Sequence, residues 1–210
     1  MSKEAPFWGI ILAGESKRFK ESRGIHKALY PLDNEPIVER IYKSISSLSK
    51  DTYIVTPLPG IFSHLKIPLI TDEGQGEGPL RGVYTALGKF PRIFLVGCDM
   101  PFPSIPLLLY LKSIFDKGYD IVGCRIRGII QPFFAFYSDN ILPLIGESME
   151  SAASRVNRLP SSSFTAGTSQ QQSSNYSLTS LFDNCHSFIV EENEARKFDP
   201  ALSSFLNFNV

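Results

Sequence analysis

Three short segments hold the residue types that handle phosphate and metal. The first, LAGESKRFKESRGIHKAL (residues 12–29), runs off an apolar stretch and carries Arg18 and Lys27. A strand-to-helix loop with a glycine can aim backbone N–H groups at an anion, while an arginine fork and a lysine point charge neutralise phosphate oxygens. Neither GxGxxG nor GxxxxGK[ST] is present, so these residues alone describe either a phosphate loop or a solvated turn. The second, LVGCDMPF (residues 95–102), sets Asp99 directly after an apolar run. A carboxylate there suits Mg2+, which takes one or two protein ligands and completes its octahedron with phosphate and water. It equally suits a cap for the next helix or turn, with Pro101 and Pro103 close by. The third, ITDEGQGEGPLRG (residues 70–82), has Asp72 at a strand end and then Gly74, Gly76, Gly78 and Gly82 around a helix start at Pro79. Such glycines permit close approach to a flat ligand beside the N–H groups of a first helical turn, although a flexible linker would look the same.

The elements that must position these residues follow from the pattern of apolar runs. Phe7 to Leu12 reads as a buried strand, followed by a long loop and a helix opened by Pro36 with Ile37, Val38, Ile41, Ile45 and Leu48 at helical spacing. Tyr53 to Val55 and Pro68 to Ile70 read as strands, Pro79 to Leu87 as a helix, and Arg92 to Gly97 as the next strand. A helix from about Ser104 to Asp116, with Ser104 as N-cap, precedes strands at Asp120 to Cys124 and Gln131 to Tyr137. This alternation predicts an α/β fold, a mainly parallel sheet covered on both faces, whose ligand crevice lies beyond the strands' C-terminal ends. All three segments follow strands of that one sheet, which is what turns three ambiguous signals into a candidate nucleotide site.

One domain over residues 1–210 accounts for the length, with 43% hydrophobic residues to build its core. Ser151 to Ser177 is dominated by Ser, Gln, Ala, Thr and Asn, too poor in apolar residues to offset ordering entropy, and is expected to be a mobile insertion. Apolar content then returns in SLTSLFDN, SFIV and FLNFNV, read as a short helix and two short strands. The formal net charge is zero, which gives no electrostatic case for nucleic acid or an anionic membrane surface. Cys98, Cys124 and Cys185 lack CxxC spacing, arguing against zinc and a disulfide scaffold, and no stretch of signal or membrane-spanning type is seen. A cytoplasmic protein with reduced thiols is the expectation.

LAGESKRF with HKAL, then GPLRG, then CDMPF resemble in order and spacing the molybdenum cofactor guanylyltransferases, the MobA-like branch of the nucleotidyltransferases. IIQPFFAFY and FLNFNV also resemble family segments, so the likeness covers nearly the whole chain except the Ser/Gln-rich insertion. The resemblance implies a single Rossmann-like domain of the nucleotide-diphospho-sugar transferase type, with a three-layer, mainly parallel sheet. It implies transfer of GMP from Mg2+–GTP to the terminal phosphate of molybdopterin or molybdenum-molybdopterin, with release of pyrophosphate. Molybdoenzymes or other cofactor-synthesis proteins would be its protein partners. Carried over by position, Leu12, Ala13 and Gly14 would lie against base and ribose, Arg18 and Lys27 would bind the triphosphate, and Asp99 would ligate Mg2+. Asp72 would stand near the nucleotide, and Gly78, Pro79 and Leu80 belong to the guanine-selecting form of the third segment. The catalytic set is therefore Arg18, Lys27 and Asp99.

Several positions depart from the family pattern. Glu15 stands for its second glycine, His26 for the aspartate before the lysine, and Arg81 for a small residue; the loop between Arg18 and Lys27 is longer than usual, and the sequence stops at Val210 where the family usually continues into a TPEDL-like helix. A carboxylate beside a triphosphate must point away or meet a cation such as Lys17, and His26 could be neutral or charged. Two alternatives stay open: a related transferase with another acceptor or base, such as a molybdopterin cytidylyltransferase or an adenosylcobinamide-phosphate guanylyltransferase, and a non-catalytic nucleotide-binding homologue. Cys98 is expected to be a packed thiol, His64 and His186 peripheral, and Phe133, Phe134, Phe136 and Tyr137 core.

Overall fold

The computed structural model describes residues 5–72, 78–156 and 177–208; the side chains of residues 17, 18 and 151–156 are not among those described. In chain order, β1 (Trp8–Leu12) leads to α1 (Lys17–Arg23), a 3-10 turn (Lys27–Leu29), a small hairpin of β2 (Pro31–Leu32) and β3 (Glu35–Pro36), and α2 (Ile37–Ile45). Then come β4 (Thr52–Thr56), β5 (Leu69–Thr71), α3 (Pro79–Leu87), β6 (Arg92–Gly97) and α4 (Ile105–Phe115). The chain continues through β7 (Ile121–Ile126), β8 (Ile129–Ile130), β9 (Phe134–Ser138), α5 (Leu142–Val156), α6 (Leu181–Asn184), β10 (Ser187–Glu191) and α7 (Glu192–Ala195).

The main sheet runs β10-β7-β9-β6-β1-β4-β5, with β8 paired to β7. β9 is antiparallel to both neighbours, whereas β10 with β7, β6 with β1, β1 with β4 and β4 with β5 are parallel, so the sheet is mainly parallel as expected. Side chains alternate between its faces. Ile11, Phe94, Val96, Phe134 and Phe136 pack with α2 and α4 on one face, and Ile10, Leu12, Ile93, Leu95, Ala135 and Tyr137 pack with α3, α5 and α6 on the other. Helix α2 buries Ile37, Val38, Ile41 and Ile45, the stripe its spacing calls for. Ser104 caps α4 as expected, its side chain accepting from Leu107 N.

From β1 the chain steps outward to β4 and β5, then returns to place β6 on the other side of β1. The loops after β1 and β6 therefore diverge, which opens a crevice at this switch point. Two expectations fail here. The connection after β1 is not all loop, since α1 forms within it and Phe19 packs edge-on against Tyr30 with ring centroids 5.6 Å apart. Residues 205–208 of FLNFNV form no strand: a 3-10 turn at Ser203–Phe205 leads into chain whose Phe208 N–H donates to Asp99 O at 2.8 Å, and Asn209 and Val210 lie outside the described residues. That bond and the packing of Phe208 against Phe19 and Tyr30 hold the segment. Residues 157–176 of the Ser/Gln-rich insertion lie outside the described residues, and among those described no helix is long and apolar enough to cross a membrane.

Candidate active site

A cavity of about 860 Å³ sits at this switch point, lined by residues from five consecutive strand ends. Asp72 follows β5, Pro57 follows β4, Leu12, Ala13 and Gly14 end β1, Gly97 to Asp99 end β6, and Phe133 precedes the antiparallel β9. The floor is tied together by backbone: Ala13 N–H donates to Val55 O at 2.9 Å, Cys98 N–H to Leu12 O at 3.1 Å and Gly97 N–H to Phe133 O at 3.0 Å. That volume lies toward the upper end for pockets that enclose small organic ligands.

Lys27 and Asp99 meet across the crevice, Nζ to Oδ2 at 2.8 Å, with side-chain exposures of 10% and 30%. The pair joins the turn before α2 to the end of β6, so it depends on tertiary structure rather than on either segment alone. Gly97 makes room for it, because a Cβ there would lie 2.8 Å from Asp99 Oδ1. Asp99 is not the cap of α4, a place that Ser104 fills. Among the described residues no cluster of three or more His, Cys, Asp or Glu could cage a metal. One carboxylate facing a roomy cavity instead fits the mode in which Mg2+ borrows most of its oxygens from phosphates and water.

On the β5 side, Asp72 is buried, with its Oδ1 accepting from Thr85 Oγ1 at 3.1 Å and lying 3.0 Å from Arg81 Nε. Arg81 thus neutralises a carboxylate that would otherwise face the cavity alone. Gly78, at φ 83°, turns the chain into α3 and lines the cavity with Pro79 and Arg81. Leu80 is not a lining residue: it faces the sheet and packs into the core with Val83 and Leu12, because the first turn of α3 presents Arg81 and not Leu80 to the cavity. Gly82 lets α3 pack close to Leu12, since a Cβ there would come 2.3 Å from Leu12 Cδ1 and the leucine side chain would have to shift.

Of the remaining expected residues, Gly14 is exposed with open space where a Cβ would be. Glu15 is also exposed and lines the cavity beside Gly14, while the side chains of Lys17 and Arg18 lie outside the described residues. Cys98 is a buried thiol, pushed up to about 12 by burial and by the charge of Asp99, which leaves it inert as a nucleophile. His64 and His186 are exposed, whereas Phe134, Phe136 and Tyr137 are core.

Phe133 departs from its expected core role: half-buried, it lines the cavity with Phe19, Ser22 and Asn207. The sequence reading placed Phe133 inside a strand from Gln131 to Tyr137, whereas the strand begins at Phe134 and leaves Phe133 at the cavity edge. Pro57, just past a strand, was not singled out, and Phe19, Ser22 and Asn207 arrive from segments that read as loop and strand.

A parallel-biased sheet with a lysine–carboxylate pair and a backbone-floored cavity at its switch point places the chain among the α/β proteins that bind ligands beyond their strand ends. The chain belongs to the MobA-like NTP transferase domain family, whose model matches residues 9–172, and it is thereby a nucleotidyltransferase. A probable molybdenum cofactor guanylyltransferase of Peptoclostridium acidaminophilum is 26% identical over 209 residues, covering 96% of this chain and 83% of that protein. One from Pelotomaculum thermopropionicum is 30% identical over 150 residues, covering 70% of this chain and 71% of its own. The crystal structure of molybdopterin-guanine dinucleotide biosynthesis protein A from Archaeoglobus fulgidus superposes with a TM-score of 0.75 at 19% identity, over 97% of this chain and 93% of that one.

Proposed function

We propose that this chain transfers GMP from GTP to the terminal phosphate of molybdopterin, carrying or awaiting molybdenum, and releases pyrophosphate. The observation that carries the reading is the Lys27–Asp99 pair facing the Leu12–Gly14 floor in one cavity. The relatives named above supply the choice of nucleotide and acceptor.

The sheet order suggests how the substrates lie. Base and ribose occupy the β5, β4 and β1 side against Leu12, Ala13, Gly14, Gly78 and Pro79, with Asp72 held beneath by Arg81. The triphosphate lies over the β1–β6 crevice, where Lys27 exchanges its carboxylate partner for phosphate oxygens and Arg18 is assigned the same task. Asp99 would hold Mg2+, which when bound neutralises charge on the phosphates. The acceptor enters on the β9 side, past Phe133 and Asn207. Its phosphate oxygen attacks the α-phosphorus in line as the bond to pyrophosphate breaks. Lys27 then stabilises the charge gathering on the leaving group, so catalysis is positioning plus electrostatics without a covalent enzyme intermediate.

Pyrophosphate release from GTP, CTP and ATP, with Mg2+ and molybdopterin, tests this reading. Release with GTP alone is expected, and loss of it in Lys27→Ala and in Asp99→Ala. Release with CTP would reassign the base, release only with a different acceptor would reassign the substrate, and no release from any nucleotide would leave a binding module. Near wild-type turnover of Lys27→Ala at low GTP would remove Lys27 from the triphosphate.

A further inference from the structure

His26 stands beside Lys27 and is nearly buried, at 5% exposure, with its ring edge-on to Phe62 at 5.2 Å. Its two nitrogens have different partners. Nδ1 accepts from Ala28 N–H at 3.2 Å, capping the 3-10 turn that carries Lys27. Nε2 lies 2.6 Å from Gly14 O in the loop after β1. An amide N–H can only donate and a carbonyl can only accept, so one tautomer satisfies both: neutral imidazole with the proton on Nε2. A cation would set an Nδ1 proton against the Ala28 N–H. An ionised aspartate, which the resembling enzymes carry here, could cap Ala28 but has no proton to give Gly14.

The Gly14 carbonyl belongs to a planar peptide whose other edge is the Glu15 N–H. Holding that carbonyl on the protein side fixes the plane of the peptide on which the cavity floor ends. The same ring holds the turn from which Lys27 reaches Asp99. We propose that His26 is a positioning residue: as neutral imidazole it locks the Gly14–Glu15 peptide and the Lys27 turn into one unit and so sets the affinity for the magnesium nucleotide. The proposal rests on the nucleotide site described above and explains how this chain tolerates the loss of the aspartate.

Two amide variants separate the bonds. In His26→Asn the side-chain oxygen stands near the Nδ1 position and keeps the Ala28 bond alone; in His26→Gln the amide nitrogen stands near Nε2 and keeps the Gly14 bond alone. Calorimetric titration with MgGTP is expected to show roughly tenfold weaker binding for His26→Asn and a change within about threefold for His26→Gln, with kcat at saturating GTP little altered in both. Equal affinities in the two variants, or affinities that merely track their thermal stability, would overturn the proposal. Two readouts need no nucleotide. Amide exchange at residues 14–16 is expected to be faster in His26→Asn than in His26→Gln, and the imidazole nitrogen shifts are expected to mark the proton on Nε2. Equal exchange, or the opposite tautomer, refutes the clamp. If the wild-type chain failed to bind MgGTP, the guanylyl reading would fall while these two measurements still decided the role of His26.

Discussion

Gly82 and Leu12 offer a quantitative test of how the third segment is built. A Cβ on Gly82 would approach Leu12 Cδ1 to 2.3 Å, more than 1 Å inside ordinary carbon contact, with Val55 Cγ1 a tolerable 3.6 Å away. Gly82→Ala gains about 1 kcal/mol of helix propensity inside α3 but incurs ~1–3 kcal/mol of overpacking, for a net effect between neutral and about 2 kcal/mol destabilising. Leu12→Ala alone removes a buried side chain at a cost of roughly 2–4 kcal/mol. Once Leu12→Ala has removed the clashing methyl, adding Gly82→Ala restores about 1 kcal/mol, and the two changes couple favourably by ~1–3 kcal/mol. Urea unfolding of the four proteins measures this coupling, and GTP titration follows the site. Because Leu12 also lines the cavity, Gly82→Ala should raise KM for GTP by roughly tenfold as Leu12 is pushed toward the nucleotide. Stabilities that add within ~0.5 kcal/mol would refute the packing account.

Gly97→Ala brings a Cβ to 2.8 Å from Asp99 Oδ1, forcing the carboxylate out of its pairing with Lys27; pyrophosphate release should fall about a hundredfold in a protein that still unfolds cooperatively. Burial, with the charge of Lys20 as a smaller cause, lowers the pKa of His26 below its ordinary 6.5, against the raising effect of its bond to Gly14. The unfolded chain therefore binds the extra proton first, so stability should fall as pH drops below about 6.5 and be flat from this group above it; His26→Asn should show a shallower acid limb in urea midpoints measured from pH 5 to 8. Cys98, with its pKa near 12, should resist iodoacetamide at pH 8 in the folded protein and react once urea exposes it, as followed by intact mass.

Elements bounded by proline and glycine were legible to the residue: the Pro79–Leu87 helix and the Arg92–Gly97 strand coincide with their sequence readings. Such residues mark boundaries by local geometry and need no tertiary partner. Helix α1 was not legible because KRFKESR offers only Phe19 as an apolar anchor, and the rings that hold Phe19, those of Tyr30 and Phe208, come from elsewhere. FLNFNV has the apolar content of a strand, yet its Phe208 N–H is committed to Asp99 O in the loop after β6 and not to a strand ladder. The same limit applies to the site. Residue types and strand-end positions pointed to Lys27, Asp99 and Asp72, but not to Asp72 being held by Arg81 or to His26 reaching Gly14. Those pairings are set by the sheet order, which brings β5, β1 and β6 together in space.

Two cation–carboxylate pairs among the described residues of the cavity differ in the exposure of their carboxylates, which under the proposed function would give them different tasks. Asp72 and Arg81 have side-chain exposures of 5% and 19%, and Thr85 adds a hydrogen bond to the same carboxylate. Separating them would strand a nearly buried charge, at a cost of several kcal/mol, so this pair persists through the reaction as scaffold. Asp99 is 30% exposed while Lys27 is 10% exposed, so in this pair it is the carboxylate that stands open to water and to an incoming cation. Under the proposed function an incoming triphosphate would offer Lys27 more negative charge than one carboxylate does, and the metal it brings would offer Asp99 a divalent partner in exchange. Lys27–Asp99 would then be the pair that opens. Asp99→Asn keeps an acceptor oxygen beside Lys27 and should cost less stability than Asp72→Asn while abolishing transfer, whereas Asp72→Asn should destabilise the fold by removing the buried charge that Arg81 meets, and reduce transfer only through that loss. If Asp72→Asn unfolded at the wild-type urea midpoint while Asp99→Asn did not, the assignment of scaffold and exchanging pair would be reversed.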